Sequence, residues 1–297
     1  MEIKKFNELI TYNPDKKRIV LIQGSARDVN NCPGEDGKTK MLIDHIIKNT
    51  PANVELDIID LSIQQGKTTI QSCKGCVSTA GGAMCHYKCS CFFKGDKVRP
   101  DKMYDENIYD RLESADGIMI LSPIYWWSLP SQVKALFDRL VCINGTITQE
   151  EAKKLMDGEL KNPDKAKELS KTPLFKSMKK NHWEGKYCAF FVHGDNGGDD
   201  YKENDTTATK EYNKEMPDSW TEHITQHNEY ESNPMGYVMP FVLQMRYSGI
   251  YVPNDLISYH LHGSGDYYAD GNDNVKKDGE FYDKALGTFL KLVEYAK

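Results

Sequence analysis

Short apolar runs separated by polar punctuation organise this chain. Arg18–Gln23 (RIVLIQ), Val54–Leu61 (VELDIIDL), Gly117–Ile124 (GIMILSPI) and Tyr187–His193 (YCAFFVH) are rich in branched or aromatic residues and bounded by polar residues, Gly or Pro. That pattern predicts strands buried on both faces. A weaker fifth strand is predicted over Leu256–Leu261. The period between them is that of a helix. Met41–Lys48 puts Leu42, Ile43, Ile46 and Ile47 on one face, and Val133, Leu136, Phe137 and Leu140 do the same after Pro130, a residue suited to a helix start. Tyr282, Leu286, Phe289 and Val293 mark a C-terminal helix. Strands alternating with helices imply a parallel sheet covered on both faces, and five of them suit the flavodoxin-like doubly wound order 2-1-3-4-5.

Three stretches exceed a minimal domain of this kind: residues 70–102, rich in cysteine; 148–181, highly charged and expected to be helical; and 199–234, a long polar excursion. With no internal repeat and no convincing linker, residues 1–297 are expected to form one domain with these insertions. The 39% apolar content supports a core. No run of about 18 apolar residues is present, and the first residues lack a signal-peptide pattern, so a cytoplasmic protein with no membrane partner is expected. A net charge of -6 without a sustained Lys/Arg run argues against nucleic acid. The eight cysteines then read as thiols or metal ligands in preference to disulfides.

Candidate chemistry begins at the end of the first strand, with Gly24-Ser25-Ala26-Arg27, and resumes where Lys38 and Thr39 open a helix. A loop from a strand end to a helix N-terminus binds anions, because backbone N–H groups and the helix dipole point at the ligand. The dipole contributes only about 0.3–1 kcal/mol, up to about 2 when partly buried. Arg27, with the Ser25 and Thr39 hydroxyls, adds about 1.5–3 kcal/mol per charge-assisted bond. The plain alternative is a glycine turn and an ordinary helix start. Gly37-Lys38-Thr39 looks like the end of a Walker A loop, but Cys32 stands where that motif needs glycine, and no GxGxxG follows a strand. A second element, Ser122-Pro123-Ile124-Tyr125-Trp126-Trp127-Ser128-Leu129-Pro130, pins three aromatics between prolines and could wall a flat ligand, or pack under the loop or at a subunit contact.

Together these residues resemble the NADPH-dependent FMN reductase family. GSAR is similar to its phosphate loop, SPIYWWSLPSQVKALFDRL to its flavin-ring loop and following helix, and His193-Gly194-Asp195-Asn196-Gly197-Gly198 to its third, glycine-rich loop. The likeness covers roughly residues 17–145 and 186–198. It implies FMN held by Ser25, Arg27, Lys38 and Thr39 at the phosphate, by Pro123, Ile124, Tyr125, Trp126 and Trp127 at the ring, and by His193 to Gly198 at the other edge. By the same resemblance NAD(P)H is the electron donor and a quinone, free flavin or similar small electrophile the acceptor. No acid–base side chain is needed, and a homodimer or homotetramer is expected. The alternatives are an electron carrier between protein partners, and a metal-stapled or redox-sensing binding protein without flavin.

Cys73, Cys76, Cys85, Cys89 and Cys91 fall within nineteen residues. The CxxC turn presents two thiolates to one metal, and the later cysteines close the site. The position resembles the cluster-bearing segment of iron–sulfur flavoproteins, although the gap from Cys76 to Cys85 is wider than their compact series. A [4Fe–4S] cluster, zinc, and free thiols near the flavin all remain open. The expected ligands are Cys73, Cys76, Cys85 and Cys89, with Cys91 as a spare. His223 and His227, in the polar excursion, read as a solvated pair, while His260 and His262 flank a strand end near the ligand mouth.

Overall fold

The computed structural model describes residues 15–30, 36–76, 85–89, 91–92, 95–125, 128–145, 148–169, 171–172, 181–195, 235–262 and 277–296. In chain order the principal elements are β1 (Lys17–Gln23), α1 (Lys38–Lys48), β2 (Val54–Asp60), α2 (Lys102–Asp105), α3 (Ile108–Glu113), β3 (Gly117–Pro123) and α4 (Ser131–Leu140). They continue with α5 (Gln149–Asp157), α6 (Pro163–Leu169), β4 (Tyr187–Asp195), α7 (Met235–Tyr247), β5 (Ile257–His262) and α8 (Gly279–Tyr295). The five strands form one parallel sheet in the order β2-β1-β3-β4-β5, the flavodoxin-like arrangement expected.

Alternation along each strand splits the core into two layers, because successive side chains point to opposite faces. Val20 and Ile22 of β1, Ile118 and Ile120 of β3 and Phe190 and Val192 of β4 pack with α3, α4 and α7. Ile19, Leu21, Met119, Leu121, Ala189 and Phe191 pack with α1 and α8 on the other side. Every residue of β3 is buried, as a central parallel strand requires. Two arginines are also buried. Arg111 of α3 makes a two-pronged contact with Asp57 of β2, Nε and Nη2 each donating at 2.7 Å. Arg139 of α4 donates from Nη2 to Asp101 at 2.9 Å, and neither side chain of that pair is exposed.

Helix α1 begins at Lys38, where Lys38 and Thr39 were expected to open a helix, with Gly37 as its N-cap. Other elements differ from the sequence reading for physical reasons. Strand β4 runs to Asp195, since pairing with β5 continues through Gly194↔Leu261 and Asp195↔His262; His193, Gly194 and Asp195 therefore end a strand and do not start a loop. Helix α7 is an element the sequence reading did not assign. Its buried Val238, Phe241, Val242 and Met245 recur at i, i+3, i+4 and i+7, but Pro240 inside the helix masks the signal. The charged stretch after Thr148 is helical as expected, and Thr148 and Glu151 form a reciprocal capping box at the start of α5.

Candidate functional site

The strand order reverses direction at β1 and β3, and the loops leaving their C-terminal ends meet there. Gly24 follows β1 and donates its N–H to Leu121 O of β3 at 2.7 Å. A Cβ on Gly24 would lie 2.7 Å from Ser122 Oγ and 2.9 Å from Val133 Cγ2, so glycine alone permits this approach. Ser25, next in the chain, is buried. Its Oγ accepts from the Arg27 N–H at 3.2 Å and lies 3.4 Å from the Tyr125 hydroxyl. The phosphate-loop candidate and the aromatic-loop candidate are thereby brought into contact across the switch point. The Arg27 and Lys38 side chains are half-buried beside it.

Gly37 caps α1 without a side-chain hydrogen bond, and no acidic residue sits in the first turn. The positive end of the helix dipole is left for an anion. Thr39 is 1% exposed and turned inward, its Oγ1 2.9 Å from Nε2 of buried His193 at the end of β4. This contact ties the start of α1 to the end of β4, and sequence reasoning placed both residues on the ligand without pairing them.

The second loop is a tight turn. Tyr125 N donates to Ser128 O at 2.8 Å and Ser128 N returns a bond to Tyr125 O at 3.1 Å. Ile124 N donates to His193 O at 2.8 Å, and a Cβ on Gly194 would meet the Ile124 Cβ at 3.3 Å, so Pro123, Ile124, His193 and Gly194 form one packed unit. Trp126, Trp127, Asn196, Gly197 and Gly198 lie outside the described residues, as do His223 and His227; the side chain of Asp195 does too. His260 lies beside His193 in the β4–β5 register and its Nε2 is 2.8 Å from Asp278 Oδ2 at the start of α8.

The cysteines gather elsewhere. Cys73, Cys76, Cys85, Cys89 and Cys91 line one cavity of about 440 Å³, completed by Cys142, His86 and Arg139. Cys76 and Cys91 are 3.5 Å apart, Sγ to Sγ. The Cys89 thiol is held below the usual range by a hydrogen bond from Cys91 and, against the cost of burial, by the charge of Arg139. Burial drives Cys85 well above it. Among the described residues no group of three His, Cys, Asp or Glu converges on a point where a single ion could be held. The donor set nevertheless has the softness that iron–sulfur chemistry needs, and a cubane cluster spreads its four thiolates over four irons instead of one point.

A parallel sheet in the order 2-1-3-4-5, with the residues after β1, the turn after β3 and the end of β4 in contact at the carboxyl ends of the strands, defines a flavodoxin-like protein. The chain belongs to the NADPH-dependent FMN reductase family, a family of oxidoreductases, whose model matches residues 17–208. A curated relative, the iron-sulfur flavoprotein of Methanosarcina thermophila, is 29% identical over 126 residues, which span 42% of this chain and 53% of the relative. Among solved structures, general stress protein 14 of Treponema denticola in complex with FMN is 11% identical, with 94% of this chain and 99% of that one covered at a TM-score of 0.42. FerB of Paracoccus denitrificans, a flavoenzyme NAD(P)H:(acceptor) oxidoreductase, is 14% identical, with 93% and 98% covered and a TM-score of 0.42. Among the described residues no helix is long and apolar enough to cross a membrane.

Proposed function

We propose that this chain, as one flavodoxin-like domain with insertions, is an FMN-dependent oxidoreductase that takes electrons from NAD(P)H and passes them to a small acceptor such as a quinone or free flavin. The observation that carries the reading is the junction of the β1 loop, the start of α1, the turn after β3 and the end of β4 at the switch point: Ser25 against Tyr125, Thr39 against His193, and His193 against Ile124. Open α/β sheets bind ligands at that place. Bound there, the flavin supplies the redox chemistry.

The chain's own residues supply position. Ser25, Arg27 and Lys38, with the start of α1, whose glycine cap supplies no side-chain acceptor to its N–H groups, hold the phosphate. Thr39 acts from beneath, fixed by His193, and keeps the first turn of α1 in register with β4. Pro123 to Trp127 wall the ring, and Gly194 to Gly198 close its other edge. No acid–base side chain is assigned. Acid release and chromatography of the purified protein should yield FMN, and the reconstituted protein should oxidise NAD(P)H with quinones or flavins. Recovery of FAD, or no flavin after reconstitution, rejects the reading.

The cysteine cavity favours a second component, a [4Fe–4S] cluster held by Cys73, Cys76, Cys85 and Cys89. Cys76 and Cys91 lie too close to take separate corners as they stand, which supports Cys91 as the spare. The character of the Methanosarcina relative points the same way. A cluster would make single-electron transfer to a protein partner the competing function. NAD(P)H turnover with free acceptors supports the enzyme, and its absence in flavin-loaded protein supports the carrier. Anaerobic protein should contain iron and sulfide near four each per chain; zinc at about one per chain without sulfide assigns the loop a structural role.

A further inference from the structure

Helix α4 leaves the flavin-ring loop and carries Arg139 to the cysteine cavity. A guanidinium there is costly, since it is removed from water. Asp101 takes one nitrogen at 2.9 Å and Gln71 O accepts from Nη1 at 3.1 Å. The third nitrogen, Nε, is buried and has no hydrogen-bond partner. The Phe92 ring lies over the group, its centroid 4.8 Å from Cζ. An ion pair serving only the fold would complete its hydrogen bonds within the protein. This one leaves a donor unused on a side chain that lines the cavity shared by six cysteines.

We propose that Arg139 is the electrostatic counterweight of an iron–sulfur cluster in this cavity, raising the cluster's reduction potential. The proposal rests on the cluster reading given above. With four thiolates a [4Fe–4S] centre would carry a total charge of −2 when oxidised and −3 when reduced by one electron. A buried positive charge therefore favours the reduced state more than the oxidised one, and the effect is weakly screened where solvent is excluded. Asp101 opposes it in part. The two members of the pair must then act with opposite signs, which a purely structural ion pair would not do.

The experiment is a mediated dithionite titration of anaerobically purified holoprotein, with the reduced cluster read by electron paramagnetic resonance and the flavin by absorbance in the same sample. Arg139→Gln should lower the cluster's reduced-to-oxidised ratio at a fixed potential at least tenfold, which for a one-electron couple is 59 mV. Asp101→Asn should raise that ratio, and the flavin couple should move much less in both. Shifts of the same sign in the two variants, or a ratio within twofold of wild type in Arg139→Gln, overturn the proposal while leaving the cluster in place. If Arg139→Gln does not fold, the sign for Asp101→Asn decides: a rise supports the proposal and no rise overturns it. Wild-type protein that contains no iron or sulfide overturns the cluster reading and the proposal with it.

Discussion

Thr39→Val probes the contact that joins the start of α1 to the end of β4. Valine reproduces the shape of threonine, so no cavity opens and the loss is that of the hydroxyl alone. In the native protein that hydroxyl lies 2.9 Å from His193 Nε2, with both residues buried. Removing one partner of a buried hydrogen bond costs about 1–3 kcal/mol, because the other is left poorly compensated. Denaturant unfolding of the apoprotein should show a loss in that range with an unchanged m-value. The functional consequence is more specific. A loosened first turn of α1 disturbs the phosphate end of the site and leaves the ring wall at Ile124 and Tyr125 alone. FMN affinity should therefore fall about tenfold, equivalent to about 1.4 kcal/mol, while riboflavin affinity holds. Thr39→Ser keeps the hydroxyl and loses only a methyl group, so it should retain the preference for FMN. Stability within about 0.5 kcal/mol of wild type, the scatter of neutral substitutions, would refute the energetic argument. Equal losses for FMN and riboflavin would reduce Thr39 to a brace of the fold.

Arg27→Ala should weaken FMN binding about ten- to hundredfold, the value of one charge-assisted bond to a phosphate, and leave riboflavin binding unchanged in a fluorescence titration; equal weakening of both places Arg27 in structure. Gly24→Ala forces a methyl group to within 2.7 Å of Ser122 Oγ, and overpacking of that kind should cost about 1–3 kcal/mol in chemical denaturation. Unaltered stability would mean the β1–β3 junction is looser than described. Arg111→Met should destabilise by about 3–5 kcal/mol by stranding Asp57, and a matching apolar change at Asp57 should restore most of the loss. If the double variant is no better than the single one, the pair is not the source of the cost.

The fold was legible because its information is local. The innermost strands, β1 and β3, carry runs of consecutive apolar residues, Ile19–Ile22 and Ile118–Leu121, since a parallel strand is buried on both faces. All five strands begin and end within two residues of where the sequence pattern puts them. Where the reading stopped short, the cause was non-local. The last residues of β4 are held by β5, more than sixty residues on, and Gly194 in isolation reads as a loop. Ser25, Tyr125 and Thr39 were each found from local motifs. The bond between Thr39 and His193 spans 154 positions, and no spacing rule reports it.

The two buried arginines show why polarity patterns fail where a site is assembled. Arg111 and Arg139 sit in helices whose apolar faces are plain, and a charged residue in an amphipathic helix reads as solvent-facing. Both are instead fully buried, because each meets a carboxylate far away in the chain: Asp57, 54 positions before Arg111, and Asp101, 38 before Arg139. Such a charge becomes intelligible only when its partner is known, since an unpaired one could not be buried at all. The same limit applies to the cysteines. Their clustering in sequence signalled a shared task, but not that Cys91 lies against Cys76, 15 positions away in the chain. Cys142, from the turn after α4, joins the cavity without any local motif. The chemistry of this loop therefore depends on α4 as much as on the loop itself, and α4 is the element that also leaves the aromatic turn proposed to wall the flavin ring. A substitution on the buried face of that one helix should be felt at both proposed centres.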